Sequence, residues 1–165
     1  MAASLKRQLA LDANVLLDLA EGKDFAHEFR EEFQGRGYAF LVPPMVLVEL
    51  DVLAAYGSGP QRRFANAALE NLIPWQCQPF TLTSTELAIA HRFTLRLLDQ
   101  RLIPDTEQSD GRILAQTSLA QVSLLVTSDK HLLSIDNDAL SLVFQEADLW
   151  PVHPVHPKRL VRALR

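Results

Sequence analysis

The sequence predicts an α/β fold with a mainly parallel central sheet. Short apolar runs alternate along the chain with longer segments of helical periodicity, a pattern typical of parallel strands covered by helices. Acidic residues directly follow two of the runs, and the carboxyl ends of parallel strands are where ligands bind in such sheets. With 165 residues, of which 48% are hydrophobic and 22% charged, the chain has the length and composition of one packed domain.

The first half of the chain is predicted to contain two strands and four helices. Gln8–Leu11 is a short apolar run that indicates a buried strand, and Tyr38–Val42 is rich in strand formers and stops at two prolines. Helical periodicity and the flanking Gly and Pro residues predict helices over Asn14–Ala20, Asp24–Gln34, Met45–Tyr56 and Pro60–Leu72.

The second half of the chain is predicted to continue the alternation of helices and strands. Trp75–Leu82 is expected to be irregular or a short strand, and Thr83–Leu102 a long amphipathic helix. Ser109 is a candidate N-cap for a helix from Asp110 to Ala120. The remaining predicted elements are strands at Leu124–Thr127 and Ser141–Gln145, an extended Pro-rich segment at His153–Pro157, and a basic amphipathic tail at Lys158–Arg165.

Composition excludes several classes of protein. Sixteen Lys and Arg against twenty Asp and Glu give a net charge of −4, so no overall positive charge draws the chain to nucleic acid. The single cysteine, Cys77, cannot form an internal disulfide, which excludes a disulfide-stapled secreted scaffold and favours a reducing cytoplasm. Apolar runs fall far short of the roughly 20 residues of a membrane span, so no membrane association is expected.

Four acids occupy positions that are unfavourable without a counter-charge. Asp12 and Asp129 follow the apolar runs of two predicted strands, Glu49 lies inside the apolar helical stretch after Pro44, and Asp110 opens a predicted helix. Neighbouring buried carboxylates repel one another, and burial raises the cost of their charge. A hard divalent cation would neutralise all four, and oxygen ligands suit Mg²⁺ or Mn²⁺.

Three blocks of the sequence, in this order, resemble the PIN domain, a metal-dependent nuclease fold that includes the toxin ribonucleases of bacterial toxin–antitoxin pairs. The blocks are Leu9–Leu19, Val42–Leu53 and Asp110–Leu133. The resemblance implies a three-layer α/β/α sandwich with a mainly parallel sheet. It places a nuclease domain in residues 1–152 and leaves residues 153–165 as a basic C-terminal tail.

The resemblance also implies a function. The chain would be a divalent-metal-dependent endoribonuclease that hydrolyses RNA phosphodiester bonds with Mg²⁺ or Mn²⁺, and it would be the toxin of a toxin–antitoxin pair. Asp12, Glu49, Asp110 and Asp129 would be the metal-binding and catalytic residues, because carboxylate-held ions activate water and stabilise phosphoryl charge. Asn14 and Ser128 would support them by hydrogen bonds. An antitoxin protein and a second copy of the chain are the implied protein partners.

Other interpretations stay open at this point. Each acid could have a purely structural role. Asp12 and Asp129 could be N-caps, and Asp110 could be stabilised by the dipole of its helix. Glu49 could be a partly exposed surface residue. The run Asp12-Ala13-Asn14 is similar to the start of haloacid-dehalogenase phosphatases, although Asn14 cannot serve as their general acid. A non-catalytic RNA- or protein-binding PIN domain is the third alternative.

Several further side chains have interpretations of their own. The candidate cations for an RNA backbone are Arg36, Arg62, Arg63, Lys130, Lys158, Arg159, Arg162 and Arg165. Asp18, Asp51, Asp136 and Asp138 are expected to be solvated surface acids. His153 and His156 are weak candidates for a second metal site, since no Cys or third His lies near them in sequence.

Overall fold

A computed structural model describes residues 7–165 and contains a five-stranded sheet in which every strand pair is parallel. The spatial order is β3-β2-β1-β4-β5. In chain order the strands are β1 Gln8–Leu11, β2 Ala39–Val42, β3 Cys77–Pro79, β4 Leu124–Val126 and β5 His153–Val155. The predicted α/β fold with a parallel central sheet is therefore confirmed.

Helices connect the strands and cover the sheet. They are α1 Ala13–Glu21, α2 Asp24–Gly35, α3 Pro44–Tyr56, α4 Gly59–Asn71, α5 Ser84–Asp99, α6 Gln108–Leu119, α7 Lys130–Leu133, α8 Asn137–Glu146 and α9 Pro157–Ala163. Stacked rings tie helices to the sheet and to one another: Phe29 packs on Phe40 of β2 with centroids 5.2 Å apart, and Phe93 packs on Phe144 at 4.5 Å. No helix within residues 7–165 is long and apolar enough to cross a membrane.

Two predicted element assignments were wrong. Ser141–Gln145 is part of α8 rather than a strand, because Asp136 caps this helix by accepting a hydrogen bond from the Ala139 amide at 2.9 Å. Ser109 lies inside α6 and does not cap it; the N-cap position is Glu107.

The segment 153–165 contributes to the same fold. His153–Val155 pairs in register with β4 as the outermost strand, and α9 packs against α2. Lys158 lies over the Phe25 ring at 5.0 Å, so this basic helix covers apolar surface of α2. The apolar side of this amphipathic tail therefore packs on the rest of the domain, with Val161 buried.

The register of the sheet places two chain segments side by side at its carboxyl edge. Leu11 pairs with Val126, so Asp12 and Thr127 leave the sheet next to each other. The amide of Asp12 still donates to the carbonyl oxygen of Val126 at 2.9 Å. Parallel pairing thus brings together two segments that are more than a hundred residues apart in sequence.

Candidate metal centre

Asp12 is held rigidly at the end of β1. Its side chain is buried, with 2% of the residue's surface exposed. One carboxylate oxygen accepts from the Ala13 amide at 2.8 Å, which makes Asp12 the N-cap of α1, and the other accepts from the Thr127 hydroxyl at 2.8 Å. Asp12 can therefore cap α1 with one oxygen and contribute to a site with the other, which faces the end of β4.

Asn14 joins the two strand ends. Its amide nitrogen lies 3.2 Å from the carboxylate of Asp12, and its carbonyl oxygen accepts from the Ser128 amide at 3.0 Å. Asn14 hydrogen-bonds beside the acids and does not cap α1, since Asp12 is the N-cap of that helix. It fixes the spacing between the β1 and β4 ends.

Three acids bring carboxylate oxygens together beside these strand ends. One oxygen each from Glu107, Asp110 and Asp129 lies within 4.8 Å of the other two. Asp129 caps α7 by accepting from the His131 amide at 2.7 Å, and Asp110 lies in the first turn of α6. The α6 start and the β4–α7 connection thus face each other with like charges.

Electrostatics show that the remaining two predicted acids belong to the same cluster. Burial, and next the charge of Glu49, raise the pKa of Asp12 to about 7. Burial, and next the charge of Asp12, raise the pKa of Asp110 to about 8, with further contributions from Asp129, Glu107 and Glu49. Asp12 and Glu49 thus lie within range of the charges of the other acids, whereas oxygens within 4.8 Å of one another belong to Glu107, Asp110 and Asp129.

Glu49 has the same perturbation in a milder form. Burial raises the pKa of this half-buried carboxyl, and the charges of Glu107 and Asp129 add to the effect, against an offset from the adjacent Ser109 side chain. Glu49 reaches the cluster because α3 starts at the end of β2 and places its inner face toward α6, where the Met45 amide donates to the Gln116 side chain at 2.8 Å.

The cluster has an unsatisfied acceptor. Within the described residues, Oδ2 of Asp110 is buried and has no hydrogen-bond partner. An unpaired buried acceptor is unfavourable unless a proton, water or cation compensates it. Clustered carboxylate oxygens with an orphaned acceptor fit a hard divalent cation, so the residues present suit Mg²⁺ or Mn²⁺.

Two residues differ from what the sequence indicated. Glu107 was not among the candidates, although it lies three residues before Asp110, a spacing at which helical side chains are neighbours. Asp18 was expected to be a solvated surface acid, and this was wrong. It is buried, pairs with Lys23 at 2.9 Å and accepts from the Ser128 hydroxyl at 3.1 Å.

The other candidates lie in ordinary structural roles. His156 caps α9 by accepting from the Lys158 amide at 3.0 Å, and its ring packs on Phe25 with centroids 5.5 Å apart. Burial raises the pKa of the Cys77 thiol to about 12, which agrees with its expected role as a small buried hydrophobe.

Comparisons with known proteins bear on the fold. No protein-family model matches the chain, and no curated protein matches it at a significant level. A structure of VapBC2 from Rickettsia felis bound to a DNA fragment from their promoter superposes with a TM-score of 0.60 and 12% identity, covering 90% of this chain and 98% of that chain. FitAcB from Neisseria gonorrhoeae gives 0.52 and 16%, with coverages of 90% and 97%.

A structure of FitAB bound to an IR36 DNA fragment is also similar, with a TM-score of 0.51, 14% identity, and coverages of 91% and 95%. The chain has a PIN-like fold. The resemblance that the three sequence blocks indicated is therefore confirmed at the level of the fold, as an α/β/α sandwich around a parallel sheet. In this PIN-like fold Asp12 and Asp129 follow the strands β1 and β4, Glu107 and Asp110 lie at the start of α6, and Glu49 lies in the second turn of α3.

Proposed function

We propose that the chain is a divalent-metal-dependent endoribonuclease that hydrolyses RNA phosphodiester bonds with Mg²⁺ or Mn²⁺. The observation that supports this most is the convergence of five acids around Asp110, whose buried Oδ2 has no partner among residues 7–165. A site that only stabilised the fold would not gather so many mutually repelling carboxylates. The PIN-like fold agrees with this chemistry.

The proposed ion-binding residues are those whose oxygens already converge. Glu107, Asp110 and Asp129 would hold the cation, and Asp12 and Glu49 would complete the site from β1 and α3. A bound divalent ion supplies an activated water and neutralises charge that develops on the phosphoryl oxygens. We propose the four acids predicted from the sequence, together with Glu107, as the metal and catalytic residues.

Other residues would position these acids and move protons. The Thr127 hydroxyl and the Asn14 amide fix the Asp12 carboxylate, and the Ser128 amide holds Asn14 in turn. Glu49, which lies outside the three converging carboxylates, would accept a proton from an attacking water. The cluster would thus need no covalent intermediate.

We further propose that the chain is the toxin of a toxin–antitoxin pair, acts in the cytoplasm and forms a homodimer. The similar structures, VapBC2 and FitAB, are toxin–antitoxin complexes, which supports an antitoxin partner. Exposed apolar side chains on α3, including Val52 and Tyr56, agree with a protein-covered surface. A phosphatase of the haloacid-dehalogenase type gains no support, because the Asn14 amide hydrogen-bonds Asp12 and offers no acidic proton.

Cleavage of a labelled single-stranded RNA tests the proposal. The wild-type protein should cut it in Mg²⁺ or Mn²⁺ and not in EDTA, and Glu49→Gln should be impaired. Asp51→Asn is the matched control, because Asp51 is exposed on the same helix two residues further on and should be as active as the wild type. Equal cleavage by the wild type and Glu49→Gln, or none with either metal, would contradict the proposal.

A further inference from the structure

A cleft of about 560 Å³ is lined by Asp105 and His131, which lie two residues from the cluster acids Glu107 and Asp129. It lies between the end of α5, the loop from α5 to α6, and α7. Its lining includes Arg101 and His131, an apolar surface of Leu98 and Leu102, and the carboxylate of Asp105. This volume is in the range of small-molecule sites, and it is large enough for one nucleotide.

The same two segments of the chain, the loop before α6 and the start of α7, contribute to the cleft and to the acidic cluster. Helix α7 has Asp129 at its N-cap, and the His131 amide donates to that carboxylate, so the imidazole begins two residues from a cluster acid. In the other segment, the Glu107 amide donates to the Pro104 carbonyl oxygen at 2.9 Å, which joins the cleft loop to a second cluster acid. Each segment thus contributes to the lining of the cleft and supplies an acid to the cluster.

The chemistry of the lining suits one nucleotide of single-stranded RNA. Arg101 offers a guanidinium to a phosphate, and the exposed His131 ring together with the leucine side chains offers a surface on which a base can stack. Asp105 can accept hydrogen bonds from the amino or imino groups of a base, and it repels a phosphate from its own end of the cleft. The lining therefore offers partners to both the phosphate and the base of a nucleotide.

Arg101 is placed in the cleft by the way that α5 ends. Its backbone has a φ of 56°, and its amide and that of Leu102 donate to the carbonyl oxygens of Leu98 and Leu97, each at 3.0 Å. This left-handed termination turns the chain sharply after the helix. Gln76, Gln121 and Asp148 have the same left-handed backbone, so it is the position of Arg101 in the cleft lining that distinguishes it.

We propose that this cleft is the subsite for the nucleotide next to the scissile phosphodiester of a single-stranded RNA, with Arg101 on its phosphate and His131 stacked on its base. The inference rests on the proposed nuclease function and names where its substrate binds. It also accounts for how a chain of net charge −4 binds a polyanion, since Arg101 supplies a cation in the cleft.

Paired substitutions test the subsite by kinetics. Arg101→Gln should raise KM for a short single-stranded RNA by about tenfold and leave kcat within about twofold, while Arg101→Lys should largely restore KM. His131→Ala should raise KM about fivefold, and His131→Phe, which keeps a stacking ring, should not. Arg92→Gln is the matched control, because Arg92 is exposed on α5 outside the cleft.

Binding without cleavage separates failure of the subsite from failure of the proposed function. Anisotropy of the labelled RNA in EDTA should show weaker binding to Arg101→Gln and His131→Ala than to the wild type and Arg92→Gln. If the wild type binds in this pattern but cuts no RNA in Mn²⁺, the subsite stands and the nuclease proposal fails. If the wild type cuts RNA and both cleft variants keep its KM, the subsite is overturned. An absence of RNA binding in EDTA together with an absence of cleavage overturns both.

Discussion

At the scale of single residues, Asp110 shows a conflict between folding and the proposed chemistry. Its carboxylate is buried at the start of α6, beside four other acids, and one oxygen has no partner among residues 7–165. The raised pKa, about 8, means that the charged form is disfavoured in the metal-free protein. Removing this charge should therefore stabilise the fold while it removes a proposed ligand.

Asp110→Asn is expected to change stability and activity in opposite directions. In EDTA at about pH 8.5 the free energy of unfolding should rise by about 1–2 kcal/mol, since each pKa unit corresponds to about 1.4 kcal/mol and relaxation absorbs part of it. RNA cleavage in Mn²⁺ should fall by about 100-fold or more, since even residues that only support metal ligands cost about 10- to 100-fold. Urea unfolding and initial cleavage rates measure the two effects. Loss of both stability and activity would indicate a purely structural role for Asp110.

The raised pKa values also predict how stability depends on pH. Asp12 and Asp110 have ordinary values of 3.8 and folded values of about 7 and about 8. Across this interval the folded chain binds more protons than the unfolded chain, so the free energy of unfolding of the metal-free protein should fall as pH rises from about 4 to about 8. Mn²⁺ stabilises the deprotonated acids and should raise Tm more at about pH 8 than at about pH 5.5. Thermal melts with Mn²⁺ and with EDTA at both pH values test this, and a Tm increase that is independent of pH would contradict it.

The acids of the cluster differed in how visible they were in the sequence. Asp12 and Asp129 follow apolar strands, and Glu49 interrupts an apolar helix face, so each is anomalous in its own surroundings. Glu107 lies in a polar loop, where an acid is unremarkable, and only the tertiary approach of α6 to α7 brings it in. Asp18 was predicted to be exposed although it is buried. Lys23 and Ser128 compensate the buried carboxylate, and no local sequence pattern indicates these contacts.

At the scale of elements, the contact between α5 and α6 sets the position of Asp110. Gly111 allows this close approach, since a Cβ at that position would lie 2.8 Å from Cγ2 of Thr94 and 2.9 Å from Cδ1 of Ile103. Thr94 cannot easily turn away, because its hydroxyl donates to the Ala90 carbonyl oxygen at 2.8 Å. A glycine in the first turn of α6 is thus required by packing and not by backbone conformation.

Gly111→Ala should destabilise the protein by about 1–3 kcal/mol, because the overpacking outweighs the gain in helix propensity of about 1 kcal/mol. It should also lower cleavage, since Asp110 moves with the helix. Gly59→Ala in α4 is the control, because no heavy atom lies within 4 Å of the added Cβ there. Chemical denaturation measures both. An unchanged midpoint for Gly111→Ala would show that α5 and α6 separate without cost.

A hydrogen bond from the β4–α7 connection to α1 stabilises the segment that presents Asp129. The Ser128 hydroxyl donates to Asp18, which Lys23 neutralises. Ser128→Ala should leave the buried Asp18 oxygen less satisfied and reduce stability by about 1–2 kcal/mol. Amide hydrogen exchange should accelerate at residues 127–131, whereas Ser134→Ala, which removes only a bond to the His131 carbonyl oxygen, should have little effect there. Unchanged exchange in Ser128→Ala would show that the hydrogen bonds of Thr127 to Asp12 and of Ser128 to Asn14 are enough to hold this segment.

Helices were predicted better than the last strands, for physical reasons. The long helices have apolar periodicity over three or more turns, and Ser58 and Thr83 begin capping boxes that the local sequence encodes. Strands β3 and β5 have three residues each and contain a proline, so their identity depends on pairing with a neighbouring strand. The run Ser141–Gln145 is rich in strand formers, but its inward residues Leu140, Val143 and Phe144 follow helical spacing.

At the scale of the whole molecule, the alternation of strands and helices was enough to predict a parallel sheet, and hence an edge where acids could meet. It was not enough to predict the order β3-β2-β1-β4-β5. That order decides which strand ends are neighbours, and it depends on which helix faces pack against the sheet. The local sequence was thus enough to identify candidate acids, whereas their proximity depends on the order of the strands in the sheet.

Helix α3 has a surface that the described chain does not cover. The helix is apolar on its buried face, through Val46 and Leu50, and also on its outer face. Val48, Val52 and Tyr56 follow one another at four-residue spacing and are 48%, 51% and 85% exposed. An exposed apolar stripe of this kind is expected to be covered by another protein. This outer stripe is the surface on which the proposed homodimer would form.

Val52→Asp should therefore convert a dimer to a monomer. The wild type should have twice the chain mass of 18.5 kDa in light scattering at micromolar concentration, and the variant the mass of one chain, because a charge at the centre of an apolar interface is desolvated without a partner. Leu142→Asp is the matched control, because Leu142 is 54% exposed on α8 and should leave the dimer intact. Val52 is exposed in the single chain, so the variant should keep its fold by circular dichroism. A monomeric wild type, or a Val52→Asp protein that stays dimeric, would contradict this use of α3 and leave its outer face for the antitoxin.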